Sequence, residues 1–147
     1  MKKIRSFLIL PYQKKKLFSK SLLFVGLIRL GLWILPYRFL TKWLSGLGSS
    51  DSFNQTNDWK LIKDISYSVR ICAKYVPFAS CLTQALATQT LLQLKGQKSI
   101  LKFGVDKDES KKLIAHAWVE IDDKIIIGNS TEISRYSVLS SNKEQFV

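Results

Sequence analysis

Histidine, cysteine and proline are scarce in this chain of 147 residues, which has one histidine, two cysteines and three prolines. Two cysteines cannot build a framework of disulfides, and with one histidine they lack the number and spacing of zinc ligands. A glycine-rich loop that could cradle phosphates is also missing. We therefore expect reduced thiols, no metal and no cofactor.

Acidic residues are absent from residues 1–50, which carry ten lysines and arginines. The rest of the chain has thirteen basic and eleven acidic residues, so the net charge of +12 belongs mainly to the N-terminal region. Such a region is either an ordinary solvated surface or a docking site for a membrane surface or an acidic partner. No basic strand interleaved with aromatic residues follows, so nucleic acid is not an expected partner.

Long apolar runs are also missing. Residues 7–10 are too few for the apolar core of a signal peptide. Residues 21–35 are more apolar, but Arg29 interrupts them and Pro36 ends them, which leaves fewer than the roughly 20 residues that cross a bilayer. The sequence predicts a cytoplasmic protein, and it leaves open a contact between residues 1–44 and a membrane surface.

Helical periodicity dominates the first two thirds of the chain. Residues 17–35 predict a helix that is apolar nearly all round, and residues 38–44 predict a second, short helix. Residues 45–57, rich in Gly, Ser, Asn and Asp, predict a linker. We expect a basic helical region over residues 1–50 and a second region over residues 58–147.

Two more helices and a sheet are predicted after the linker. Asp58 is the expected N-cap of a helix to about residue 74, and Ser80 that of a helix from Cys81 to about residue 94, ended by Gly96. Three strands then follow from alternating patterns, and Asp122-Asp123 joins the last two as a hairpin. The strands are predicted over residues 100–105, 114–121 and 124–127. The order of elements is that of an α+β fold.

Catalysis by cysteine requires a thiolate, a neighbouring base and a group that orients the base. Cys81 is the candidate nucleophile, because the positive end of a helix stabilises a thiolate and the free N–H groups there can bind an oxyanion. Cys72 continues the apolar stripe of its own helix and is expected in the core. His116 is the only candidate base. A lone histidine on a strand is more often structural, but its pairing with a cysteine at a helix start favours catalysis.

Three residues are candidates for orienting His116, namely Asn129, Asp122 and Asp123. Asn129 follows the last strand, and a regular register counted back through the two-residue turn would set it opposite His116. The two aspartates lie at the turn and further away. Trp118 shares a strand face with His116 and would shield the imidazole from water.

Two sequence blocks resemble those of the lasso-peptide leader peptidases, a transglutaminase-like family that matures microcin-type peptides. They are Val-Pro-Phe-Ala-Ser-Cys-Leu-Thr-Gln-Ala-Leu-Ala at residues 76–87 and His-Ala-Trp-Val-Glu at residues 116–120. The resemblance implies a papain- or transglutaminase-like cysteine peptidase core. In it Cys81 would be the nucleophile, His116 the base and Asn129 the orienting residue, at a position where the family usually has Asp.

The resemblance also implies partners. Such a peptidase cuts between the leader and the core of a lasso precursor peptide, and an asparagine-synthetase-like lasso cyclase then closes the macrolactam. A small winged-helix leader-recognition protein presents the substrate. No segment here resembles that module, so the chain looks like the stand-alone peptidase half of a split maturation protein in antibiotic biosynthesis. The alternatives are a catalytically silent peptide- or membrane-binding protein of the same fold and a transglutaminase-type acyl transferase.

Overall fold

Helices precede a sheet in this chain, as the sequence predicts for an α+β fold. The computed structural model describes residues 11–47 and 56–128, and the backbone of residues 137–141. The helices are α1 (Tyr12–Ile34), α2 (Tyr37–Gly46), α3 (Trp59–Ala73) and α4 (Cys81–Leu94). The strands are β1 (Ile100–Lys107), β2 (Leu113–Ile121), β3 (Lys124–Ile127) and β4 (Ser137–Ser141).

The first helix is longer than its apolar pattern predicts, because α1 begins at Tyr12 rather than near residue 17. Pro11 starts it: the fixed φ of proline suits a helix start, and the Pro11 carbonyl accepts hydrogen bonds from the N–H groups of Lys14 and Lys15. Leu35 is extended ahead of Pro36 and ends the helix, as predicted.

This helix corrects the expectation that the apolar segment is too short to cross a membrane. The helix α1 has 23 residues, and an 18-residue window within it has a mean hydropathy of 1.7, so it is long and apolar enough to do so by length and composition. A core helix or a signal sequence near the N-terminus passes the same test. Only Ser21, Val25 and Ile28 are buried along it. The cytoplasmic location stays a prediction.

Side-chain caps start α3 and α4, as the sequence predicts. Asp58 Oδ1 accepts a hydrogen bond of 3.1 Å from the Leu61 N–H at the start of α3. Ser80 Oγ accepts one of 3.3 Å from the Thr83 N–H at the start of α4. Gly96, with a φ of 69°, follows the C-terminal end of α4. These local signals fix the bounds of both helices.

The sheet is antiparallel, with strand order β3-β2-β1-β4. Asp122 and Asp123 both have positive φ, which is the backbone of a type I′ hairpin turn and confirms the predicted hairpin. The strand β4 was not predicted, and it pairs with β1 between Lys102 and Val105.

All four helices contribute to one core on one face of the sheet. The buried side chains include Val25 from α1, Leu40 from α2, Ile65 from α3, Leu86 from α4 and Val119 from β2. Both N-terminal helices therefore pack with the elements that carry the candidate site. The division into regions 1–50 and 58–147 stays a prediction, and residues 48–55 lie outside the described part of the chain.

Candidate functional site

Cys81 is the first residue of α4 and is half-buried. The chain turns sharply just before it, since Phe78 has a left-handed φ of 58° after Pro77. Ser80 then caps the Thr83 N–H. In the first turn of a helix the N–H groups have no carbonyl partner within the helix, so those of Cys81 and Leu82 are left to face a ligand. The role of Cys81 as nucleophile stays a prediction.

Cys72 behaves differently from Cys81. It is fully buried on α3, and its Sγ lies 3.5 Å from the Phe18 carbonyl oxygen of α1, to which it donates. Burial raises the pKa of the Cys72 thiol to about 11. Cys72 is therefore a neutral core residue, as predicted, and both cysteines are free thiols.

His116 lies in β2, half-buried, with its Nε2 at 2.5 Å from the Gly128 carbonyl oxygen. A carbonyl oxygen only accepts hydrogen bonds, so in a neutral imidazole this contact assigns the proton to Nε2. The basic nitrogen of the ring is then Nδ1. The sequence analysis expected the side chain of Asn129, Asp122 or Asp123, and not a backbone carbonyl, to hold one tautomer in this way.

Gly128, whose carbonyl oxygen contacts His116, is a residue that the sequence reasoning missed. Its φ is +85°, and a Cβ built on it would lie 2.6 Å from the Ala117 carbonyl oxygen and 2.8 Å from the Trp118 Cβ. Only glycine allows this close approach of the backbone to β2. A single glycine directly after the strand that ends at Ile127 was the available signal.

Trp118 lies beside His116, as the alternation of β2 predicts. The two rings stack with centroids 6.0 Å apart and planes 24° apart. The indole Nε1 donates to Glu120 Oε1 at 2.7 Å, and Glu120 Oε2 pairs with Lys102 Nζ at 2.6 Å. Burial raises the pKa of Glu120, but the hydrogen bonds from Lys102 and Trp118 and the charge of Lys102 outweigh it, so the pKa is lowered. These contacts fix the indole plane against the imidazole.

The helix with Cys81 and the strand with His116 pack together, since α4 contacts β2 more extensively than it contacts β1 or β3. Ala117 and Val119 belong to the core shared with the helices. Alternation then puts His116 on the other face of β2. Among the described residues, β3 pairs only with Val119–Ile121. His116 therefore lies where β2 extends past β3, on the strand face opposite the helices, and its approach to the Cys81 thiol stays a prediction.

The third group of the site is not fixed by the described residues, because Asn129 lies outside them. The regular register that sets Asn129 opposite His116 is wrong: β3 ends at Ile127, and an irregularity between Val119 and Glu120 brings Ile127 opposite Val119. The role of Asn129 stays a prediction.

The alternative candidates, Asp122 and Asp123, lie at the far end of β2. Six residues of strand separate Asp122 from His116, a distance of about 20 Å. Asp122 Oδ2 instead accepts a hydrogen bond of 2.5 Å from Asn57 Nδ2. Neither aspartate can orient the imidazole from there.

Other features of the described residues lie apart from this site. No group of three His, Cys, Asp or Glu side chains within them could hold a metal ion. A groove between α3 and β3 has a volume of about 370 Å³ and is lined by neither Cys81 nor His116. Lys124 Nζ lies 4.8 Å from the centroid of the Trp59 ring at this groove.

Comparison with known families gives a match over most of the chain. A model described as the transglutaminase-like superfamily matches residues 28–141, a range that contains Cys81, His116 and Asn129. Proteins of this superfamily are generally cysteine proteases or acyltransferases. No curated protein and no solved structure gave a match.

Proposed function

Because the chain belongs to the transglutaminase-like superfamily, we propose that it is a cysteine peptidase that removes the leader from a lasso-peptide precursor. The observation that carries the proposal is the capped start of α4, which presents Cys81 together with N–H groups in a half-buried position. The superfamily supports the reaction class. The choice of a lasso precursor rests on the resemblance of residues 76–87 and 116–120.

In the proposed reaction, His116 Nδ1 removes the proton from the Cys81 thiol, and the sulfur attacks the carbonyl carbon of the last leader residue. The N–H groups of Cys81 and Leu82 donate to the oxygen as it becomes negative, and one such donor is typically worth about 10² to 10³ in rate. The C–N bond breaks, and the amine of the core peptide leaves with the proton from the imidazolium.

The leader then remains attached to Cys81 as a thioester. His116 takes a proton from water, the resulting hydroxide attacks the thioester carbonyl, and the leader leaves with a new carboxylate while the thiol is restored. Throughout these steps the Gly128 carbonyl would hold the Nε2 proton, which leaves Nδ1 as the basic nitrogen. Asn129, the predicted orienting residue, would share the Nε2 proton with the Gly128 carbonyl.

The proposed partners follow from the same resemblance. A small winged-helix protein would bind the leader and present the scissile bond to Cys81. An asparagine-synthetase-like cyclase would consume the freed amine. The second candidate activity, acyl transfer, would use the same thioester and differ only in that an amine replaces water.

The test is mass spectrometry of a precursor peptide incubated with the full chain and its leader-binding partner. We compare the unaltered protein with Cys81→Ala, His116→Ala and Asn129→Ala, with Cys72→Ala as the control that removes the other thiol. We expect leader release to disappear in the first two variants, to fall in the third and to persist in the control. Release by Cys81→Ala at the original rate would refute the assignment.

Two further readouts separate the alternatives. In the presence of excess primary amine, a peptidase yields the leader as a free acid, whereas an acyl transferase yields the amide. A silent binding protein would retain the precursor with no product, equally in the unaltered chain and in Cys81→Ala.

A further inference from the structure

The helix α1 has two apolar stripes. The inner one, with Val25 and Ile28, is buried in the core. The outer stripe consists of Leu23, Leu27, Leu30 and Ile34, which recur at the helical spacing of three and four residues and are all exposed. Trp33 stands beside the outer stripe with 80% of its surface exposed.

The next helix repeats this division. Leu40 and Leu44 of α2 are buried, whereas Phe39 and Trp43, also four residues apart, are exposed. Soluble proteins seldom expose so many large apolar side chains within two adjoining helices unless the surface binds something. We call the outer stripe together with Trp33, Phe39 and Trp43 the outer surface.

The charges on these two helices are all of one sign. The two helices contain seven lysines and arginines and no acidic residue. Lys14, Lys16 and Lys20 are exposed in the first turns of α1, ahead of the apolar part, and Arg38 and Lys42 are exposed on α2. A protein partner would need an apolar face bordered by acids alone. The headgroups and acyl chains of an anionic bilayer supply both features over any area.

We propose that α1 and α2 dock the protein on an anionic membrane surface. The helix α1, about 35 Å long, lies along the bilayer, with its lysines at the headgroups and the outer surface at the start of the acyl region. The tryptophans lie at the depth where indole rings concentrate in membranes. The buried inner stripe keeps α1 on the fold, so the helix lies on the membrane and does not cross it.

The test is flotation of the full chain with lipid vesicles. We expect it to bind vesicles of phosphatidylcholine with a minor fraction of phosphatidylglycerol, to bind pure phosphatidylcholine far less, and to be released by raised salt. Alkaline carbonate should extract it from the anionic vesicles. Failure to bind anionic vesicles would overturn the proposal, and resistance to carbonate would show a spanning helix instead.

Matched variants locate the contact. Ile34→Gln removes an apolar side chain that is 67% exposed on the outer surface, and Leu113→Gln removes one that is 66% exposed at the start of β2. We expect the first to weaken vesicle binding about tenfold and the second to leave it unchanged. Equal effects would overturn the assignment of the outer surface.

A second pair tests the charges. Replacing Lys14, Lys16 and Lys20 together with Gln should weaken binding about a hundredfold, at about fivefold for each lysine. Replacing the exposed residues Lys107, Lys111 and Lys112 removes the same charge elsewhere and should have little effect. Circular dichroism confirms that each variant is folded.

Sedimentation of the lipid-free protein tests whether a second copy of the chain, and not a membrane, binds the outer surface. A dimer that Ile34→Gln dissociates, in a protein that does not bind vesicles, would assign the outer surface to self-association and refute membrane docking.

Discussion

Gly128→Ala is the substitution for which the structure gives the clearest magnitude. The new Cβ would lie 2.6 Å from the Ala117 carbonyl oxygen, and the backbone would have to keep a φ of +85° with a side chain present. A left-handed L-residue costs about 1–2 kcal/mol, and relieving an overpacked contact adds about 1–3 kcal/mol. We therefore expect the free energy of unfolding to fall by about 3 kcal/mol, which lowers the Tm by about 10 °C.

Gly26→Ala is the matched control. Gly26 lies within α1, and a Cβ there would meet nothing within 4 Å. Alanine is favoured over glycine inside a helix by about 1 kcal/mol, so this variant should melt about 3 °C higher than the unaltered chain. The same chemical change thus has opposite signs at the two positions.

Thermal unfolding followed by circular dichroism measures both effects. Leader release, assayed well below the Tm of each protein, should drop about a hundredfold in Gly128→Ala, because a catalytic group displaced by about 1 Å costs that much. It should not change in Gly26→Ala. A Gly128→Ala variant that melts at or above the original temperature would refute the close approach of this backbone to β2.

Three further results are expected. Iodoacetamide at pH 8 should label Cys81 and spare Cys72, because the Cys72 side chain is buried and a pKa raised from 9.0 to about 11 lowers its thiolate fraction about a hundredfold. Mass spectrometry of the native protein shows which cysteine is modified. Labelling of Cys72 before Cys81 would contradict this expectation. Glu120→Gln should lower the Tm at pH 7 but not at pH 3. A carboxylate whose pKa is lowered by folding stabilises the fold above the pKa of the unfolded chain, near 4.5, and this stabilisation is lost as the pH falls through the pKa of the folded protein. An equal loss of Tm at pH 7 and pH 3 would contradict the ion pair with Lys102. Ser80→Ala should cost about 1 kcal/mol, or about 3 °C in Tm, and an unchanged melt would contradict the cap.

Local signals made most of the helices predictable. The side chains of Asp58 and Ser80 cap helices from within the first turn, so a short window of sequence contains both the signal and its partner. The start of α1 was harder, because Pro11 can end one segment or begin another, and the lysines after it conceal the helix from an apolar pattern.

Features that depend on packing between distant segments could not be predicted in the same way. The register irregularity at Val119 and the contact of Gly128 with His116 arise where β3 meets β2, and no local pattern specifies either. The strand β4 pairs with β1, about 35 residues earlier, and its sequence Ser-Val-Leu-Ser-Ser lacks a clear alternation. The sequence could therefore propose Cys81 and His116 as site residues, but it could not indicate the carbonyl that contacts the imidazole.

The inner stripe of α1 affects how the chain is synthesised. Val25 and Ile28 can be buried against α3 and α4 only after both helices have been synthesised. This requires synthesis as far as Leu94, about 60 residues beyond the end of α1. At roughly 5–20 residues per second, a ribosome needs about 3–12 s for that length. During this time only α2 can cover this apolar basic helix, and ribosome-associated chaperones or the membrane can bind it before the core does.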